Sequence, residues 1–457
     1  MTQMDARDAW VVAAFAGYFA AQAALRIALG GALEVDEAEM VLLARDWELG
    51  YGPQLPLYNW IQVAAFRVFG ITTAGLAIPK NAVLWLAAAG LFTGLRRVLP
   101  FGAALSGALS LAFLPNVVWE FQRASSHSIA LLAAVTCTIA LALITLERGR
   151  RRDWLILGIA IGLGGLTKPN FWMLPVALGL AVLWRPADPP LRAKPAGLVI
   201  AGAAALAIVA IPYGWAVRHA EATLASSVKL FRSAGGLPPG IEGLGEALAG
   251  SVAGLLPVAV VVYFLDRSAR TQTESADRAA RAKARSIGKL LFHAGCIALV
   301  LAFVAILALA VSEVQSRWLV PGYCLIATGL FVAFAPATRP PLWLGITAVS
   351  IGVLTLAGMA ELRANGRATG RIDFSPLAVL TDALAPDAVI AGYHIGGNLK
   401  FLRPALAVHH PLAPPPAAAL RVLFADTAPS EGAHRLSLPY LNGATPGFEV
   451  WWRLGTP

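Results

Sequence analysis

The acidic residues Glu34, Asp36, Glu37, Glu39, Asp46 and Glu48 crowd into one short stretch near the start of the chain. Carboxylates grouped this way suit proton transfer. A general base needs a carboxylate within hydrogen-bond reach of the hydroxyl it deprotonates. Asp36 and Glu37 are the candidates. Helix capping is the structural alternative for Asp36, because Asp before Glu-Ala-Glu makes a good N-cap. Acids in a first turn are also favoured by the helix dipole. The two roles are compatible in one carboxylate.

These residues lie in a long segment, 30–75, between two apolar runs. Structureless loops beyond about 12–15 residues are uncommon without a function. An amphipathic stretch is expected from Met40 to Leu49. The chain then turns at Gly50-Tyr51-Gly52-Pro53-Gln54-Leu55-Pro56, and a second amphipathic stretch runs from Leu57 to Phe69. Both have the pattern of helices lying in a membrane interface. The carboxylates would then sit at the mouth of the membrane.

A membrane is required by composition. Of 457 residues, 58% are hydrophobic and only 14% charged, against about 25% charged in soluble domains. Mean hydropathy is +0.67. Apolar runs recur at 10–29, 76–95, 101–118, 127–146, 154–167, 170–184, 196–217, 247–265, 289–312, 318–336 and 341–358. Backbone in lipid must satisfy its own hydrogen bonds, and a spanning helix needs about 20 residues. The expected class is an all-α polytopic membrane protein of about eleven spans with a small C-terminal α/β domain. Residues 1–360 form the membrane part, with 30–75 interfacial, and 361–457 the soluble part. Within the latter, Asp387-Ala-Val-Ile-Ala-Gly reads as a strand after a turn.

The net charge of +10 would favour nucleic acid in a soluble protein. Here it marks cytoplasmic loops instead, at Arg96-Arg97, Glu147–Asp153, Arg185–Lys194 and Asp266–Lys289. The N-terminus then lies in the cytoplasm, and the acidic segment and the tail lie outside. Nucleic acid is not an expected partner; membrane lipids are. The 3 cysteines are scattered in apolar runs, so neither a disulfide framework nor a metal cluster is expected. His409-His410 lack the spacing of a zinc site. No Gly-rich loop followed by Lys-Ser/Thr points to ATP, and no cofactor is expected.

Asp36-Glu37-Ala38-Glu39 followed by Gly-Tyr-Gly-Pro-Gln-Leu-Pro-Leu-Tyr-Asn-Trp at 50–60 resembles the first external loop of family 39-type glycosyltransferases. These have the GT-C fold and include lipid A aminoarabinose transferases, protein O-mannosyltransferases and rhizobial galacturonosyltransferases. Leu166-Thr167-Lys168, Ser316-Arg317-Trp318-Leu319-Val320-Pro321 and His394-Ile395-Gly396-Gly397-Asn398-Leu399 are more distant echoes. The resemblance implies transfer of a sugar from a polyprenyl-phosphate donor to a lipid, glycan or protein acceptor at the external face. It also implies inversion and metal independence, with Asp36 as the base. A lipid phosphate leaving group needs positive charge, for which Arg45, Arg123, Lys168 and Arg317 are candidates. Their structural alternatives are pairing with Glu48 or Glu39 for Arg45, snorkelling for Lys168, and interface anchoring for Arg317.

Two departures stand out. Gln54-Leu55-Pro56 replaces the basic residue or histidine before Pro-Pro found in many relatives, leaving Gln54 and Tyr58 as substrate-binding candidates. Where relatives often place a second aspartate, this chain has Trp119-Glu120-Phe121-Gln122-Arg123-Ala124-Ser125-Ser126-His127. Glu120 or His127 is the substitute, although His127 also suits a simple helix start. The rival readings are a transporter or flippase, which needs ionisable residues in mid-membrane and internal repeats, and a non-catalytic assembly protein.

Overall fold

The computed structural model describes residues 5–184, 194–225, 227–231, 237–270, 278–336, 339–365, 369–411, 421–426, 433–441, 443 and 446–455. Arg185 and Arg192 of one basic loop, and 271–277 of another, lie outside the described residues. The helical elements are α1 (Ala6–Leu29), α2 (Val35–Leu43), α3 (Leu57–Phe69), α4 (Thr73–Arg96), α5 (Phe101–Leu109), α6 (Gln122–Ala124), α7 (His127–Arg148), α8 (Arg151–Gly165), α9 (Met173–Trp184), α10 (Pro195–Arg218), α11 (Ala220–Leu224), α12 (Ile241–Arg270), α13 (Arg278–Ala308), α14 (Val320–Phe334) and α15 (Leu342–Asn365).

Every apolar segment coincides with helix, but not every one is a full span. Among the described residues, 8 helices are long and apolar enough to cross a membrane. The segment expected at 101–118 is bent by 77° between Phe113 and Asn116. Pro115 sits at this break, where it cannot donate the hydrogen bond that a continuous helix requires. Beyond it comes a π-helical turn, Asn116–Phe121. The segments at 154–167 and 170–184 form the 15-residue α8 and the 12-residue α9. At 1.5 Å per residue α8 reaches only about 22 Å, short of a hydrocarbon core of about 30 Å. The two are joined at Lys168, which precedes a short 3-10 turn at Pro169–Trp172.

A proline inside α4 shows how this bundle satisfies its backbone. Pro79 leaves the Gly75 carbonyl without its usual donor, and the buried Gln62 side chain of α3 supplies one at 2.8 Å. At the opposite end of α4, buried Arg96 pairs with Asp8 of α1 at 2.8 Å. Arg96 is thus tied up in packing and is a weak marker of orientation.

The C-terminal region is built from α16 (Ser375–Leu384), α17 (Tyr393–Leu402) and strands β1 (Ala388–Ala391), β2 (Val408–His409), β3 (Arg421–Ala425), β4 (His434–Leu438) and β5 (Phe448–Gly455). The sheet order is β2-β1-β3-β5-β4. β1 is parallel to β2 and β3, with Val389 opposite Val422, while β5 is antiparallel to β3 and β4. The first strand falls where Ala-Val-Ile-Ala predicts it. A second hydrophobic core, separate from that of the bundle, lies under this sheet and includes Leu42 of α2.

Leu42 reveals where the first acidic helix belongs. The expected interfacial helix over Met40–Leu49 is instead α2, Val35–Leu43. Ala44 leaves the helical conformation (φ −85°, ψ 55°), and the turn-forming Gly50-Tyr51-Gly52-Pro53 follows. Residues Glu37–Leu42 are buried, and α2 packs against α17, not lipid. A Cβ at Gly397 would collide with the Ala38 carbonyl. Asn398 clamps Leu33 from both sides, its Oδ1 accepting from the Leu33 N–H at 2.7 Å and its Nδ2 donating to the Leu33 carbonyl at 3.2 Å. The His394–Leu399 motif is therefore a seat for α2.

Candidate active site

Helix phase sorts the acids of α2. Glu34, not Asp36, occupies the N-cap, and Glu37 completes the cap by accepting from the Glu34 N–H at 3.0 Å. The capping alternative for Asp36 is thus overturned, because the helix starts two residues earlier than a cap at Asp36 requires. At 100° per residue, Glu34 and Glu37 share one face while Asp36 and Glu39 share another.

Glu37 faces α1. Arg26 holds it with two bonds, Nε to Oε1 at 2.8 Å and Nη2 to Oε2 at 2.7 Å. Burial alone would raise its pKa. The charge and hydrogen bonds of Arg26, with Arg363 and Lys80, outweigh that and hold the group down to about 2. A carboxylate locked this way is a poor proton acceptor, and through Arg26 it ties α2 to α1. Arg123 turns the same way, its Nη1 pairing with Glu34 at 3.3 Å.

Asp36 faces the start of α7. Its Oδ2 accepts from the Ser126 N–H at 3.0 Å and the Ser126 hydroxyl at 3.3 Å. No ion pair reaches it among the described residues. Two residues on, Ser128 accepts at 2.8 Å from Lys168 Nζ. Between them, buried His127 begins α7 and lies against Tyr58, with ring centroids 5.7 Å apart. The segment Ser126-His127-Ser128 thus joins the carboxylate, the lysine and the aromatic. Serines next to a helix start are common in any sequence, which is why neither drew notice. Their alternation around His127 was the available clue.

Half-buried Lys168 turns its ammonium onto the Ser128 hydroxyl of α7, a contact within the bundle that the snorkelling alternative does not call for. Burial and the neighbouring Arg317 charge lower its pKa to about 8, against opposing contributions from Asp36, Glu39 and Glu120. All five charges therefore share one electrostatic environment. Three hydrogen bonds assemble it. The Leu57 N–H donates to the Leu166 carbonyl at 3.1 Å, fixing α3 to the lysine junction. Asn170 Nδ2 donates to the Trp318 carbonyl at 2.7 Å, fixing that junction to the Arg317 segment. Gln54 Nε2 donates to Glu39 Oε1 at 3.0 Å, so the departure from the family's proline motif places an amide against the second acid of this face.

Arg317 is only partly exposed. Its Nη1 pairs with Glu120 Oε1 at 2.9 Å, and Asn116 bridges Glu120 Oε2 (2.9 Å) to the Ser316 hydroxyl (3.0 Å). The π-helical turn brings Glu120 to this position; such turns recur at functional sites. Arg45 lies elsewhere, near the Val408 carbonyl of β2 at 3.5 Å. One center thus gathers Asp36, Glu39, Gln54, Tyr58, Glu120, His127, Lys168 and Arg317, while Glu37 and Arg123 belong to its neighbour.

A helical bundle with 8 helices apolar enough to cross a membrane and a small C-terminal sheet defines a polytopic membrane protein. Comparison with known proteins narrows the class. Residues 52–215 match the family described as dolichyl-phosphate-mannose-protein mannosyltransferase. The chain is 31% identical over 422 residues to the lipopolysaccharide core galacturonosyltransferase RgtA of Rhizobium johnstonii, covering 88% of this chain and 82% of that protein. It is 29% identical over 426 residues to RgtB of the same organism, covering 88% and 83%. The crystal structure of ArnT from Cupriavidus metallidurans bound to undecaprenyl phosphate superposes with a TM-score of 0.62 at 14% identity, over 98% of both chains. The chain belongs to the GT-C family of integral-membrane glycosyltransferases.

Proposed function

We propose that this glycosyltransferase moves a galacturonosyl residue from a polyprenyl-phosphate carrier to the lipopolysaccharide core, at the external face, with Asp36 as general base. The sugar and acceptor follow the names of the two curated relatives, and the donor follows the resemblance of the first loop. The observation that carries the base is the contrast on α2. Asp36 is held by a serine, whereas Glu37 is locked onto arginine.

In this reading the acceptor hydroxyl attacks the anomeric carbon of the sugar as Asp36 takes its proton. The bond from that carbon to the phosphate oxygen breaks, and the oxygen keeps the electron pair. Lys168 and Arg317 offset the charge that develops on the departing lipid phosphate. Ser126 aims Asp36, and Glu120 aims Arg317. The N-terminus is cytoplasmic and the sheet region external, an orientation supported by the basic residues at 147–153 and in the first turns of α13, 278–289.

The test is transfer by the purified full-length chain from polyprenyl-phosphate galacturonic acid to lipopolysaccharide of a strain lacking the protein. Wild-type transfer with an inactive, folded Asp36→Asn variant supports the reading. Full activity of that variant removes Asp36 as base. Unchanged core composition in the deletion strain removes the assigned sugar and acceptor.

A further inference from the structure

A second cation-rich site lies behind the 122–126 segment, and the proposed chemistry does not use it. It is a recess lined by Arg26 of α1, Lys80 of α4, Arg123, and Arg363 of α15. Glu34 also lines it, and Glu37 pairs with two of its arginines. Four cations thus face two carboxylates. Lys80 and Arg363 are more than nine-tenths buried. A buried excess of positive charge is costly unless an anion answers it.

The bonding leaves room for such an anion. Arg363 Nη2 is buried without a hydrogen bond among the described residues, its nearest carboxylates lying 3.7 Å (Glu34) and 3.9 Å (Glu37) away. Arg123 Nε is also buried without a hydrogen-bond partner. Lys80 Nζ makes one bond, to the Arg123 carbonyl at 2.9 Å, and an ammonium carries three donors.

The remaining wall says what bears the anion. Leu25 and Leu29 of α1 face Met359 and Leu362 of α15 across the recess. These two helices bury the smallest shares of their apolar windows among the eight long spans, 6% and 11%, so both look out onto lipid. An oxyanion entering between them would bring an acyl chain along an apolar wall.

We infer that this recess binds the phosphate or carboxylate of a lipid-borne acceptor, holding that molecule while its hydroxyl reaches Asp36 from the side opposite Lys168 and Arg317. This rests on the proposed transfer reaction. The geometry fits, because α2 presents Glu34 and Glu37 to the recess and Asp36 to the reaction center, and Arg123 and Ser126 are three residues apart in one segment.

Two readouts test it on the full-length chain in detergent. In the first, dioctanoyl phosphatidic acid raises the melting temperature of the wild type. That rise disappears in Lys80→Gln, or in Arg123→Gln should the first variant fold poorly, and persists in Asp36→Asn. Inorganic phosphate at equal concentration gives a much smaller rise; an equal rise assigns the site to free oxyanions and overturns the lipid assignment. No rise with either probe, or an undiminished rise in both recess variants, overturns the site itself. In the second, Lys80→Gln raises KM for the lipopolysaccharide acceptor about 10-fold or more, the loss expected for one charge-assisted hydrogen bond, while donor KM stays constant. An unchanged acceptor KM overturns the acceptor assignment. Because the binding readout needs no catalysis, failure of the recess and failure of the transfer reading are separable.

Discussion

Helix α2 and its N-cap place two pairs of carboxylates within six residues, and the pairs meet opposite surroundings. Glu34 and Glu37 meet arginines from α1, α15 and the 122–124 turn. Asp36 and Glu39 meet a serine and a glutamine, with Lys168 farther off. The first pair stabilises the fold, since its ion pairs, above all that of Glu37 with Arg26, anchor α2 to the bundle. Within the second pair, no ion pair reaches Asp36 among the described residues. A two-residue shift along one helix separates structure from chemistry, and helix phase alone decides it.

The comparison can be broken from its structural side first. Glu37→Gln removes one partner of a buried ion pair and leaves Arg26 uncompensated, a loss of roughly 3–5 kcal/mol. The expected outcome is a large fall in melting temperature. The wild type should also lose stability in acid. The folded value of Glu37 lies below its ordinary one, so its contribution is complete above about 4.5 and disappears as pH falls toward about 2. That acid-sensitive limb is expected to be absent from Glu37→Gln.

On the chemical side, Lys168→Met should lower kcat by about 10²–10³, the range for removing one group that stabilises a developing oxyanion. Lys168→Arg sharpens this. Its depressed pKa means Lys168 is charged below about 8 and loses charge as pH rises through that value, so wild-type transfer should decline there. Arginine keeps its charge, and the alkaline decline of the variant should move up by a unit or more; an unmoved decline removes Lys168 from the pH profile. The smallest effect is expected for Ser126→Ala. It deletes one hydroxyl bond to Asp36 but keeps the backbone donor, and should cost a few-fold in kcat, about 1 kcal/mol, with KM unchanged.

Much of this was legible in residues. The apolar runs mark every membrane helix, and the Asp387-Ala-Val-Ile-Ala-Gly stretch marks the first strand of the tail. The loop motif pointed to Asp36, which the segment Ser126-His127-Ser128 links to Lys168, while Arg317 pairs with Glu120. The number of full spans was less legible, because hydropathy is blind to the bend at Pro115 and to the shortness of α8. The role of Glu37 was hidden because Arg26 and Arg363 are distant in sequence and reach it only once α1 and α15 pack. The phase of α2 was hidden because its cap, Glu34, is not one of the residue types favoured at an N-cap. The Gln54 departure became intelligible only beside Glu39.

The most direct test compares two neighbouring substitutions in the purified chain, with initial transfer rate and melting temperature measured for each. Asp36→Asn is expected to lose about 10²–10⁴ in kcat at an unchanged melting temperature. Glu37→Gln is expected to lose melting temperature first, and to retain substantial kcat at temperatures where it stays folded. A folded Asp36→Asn that transfers at the wild-type rate, or a folded Glu37→Gln as inactive as Asp36→Asn, would contradict the division of the helix into a structural and a chemical face.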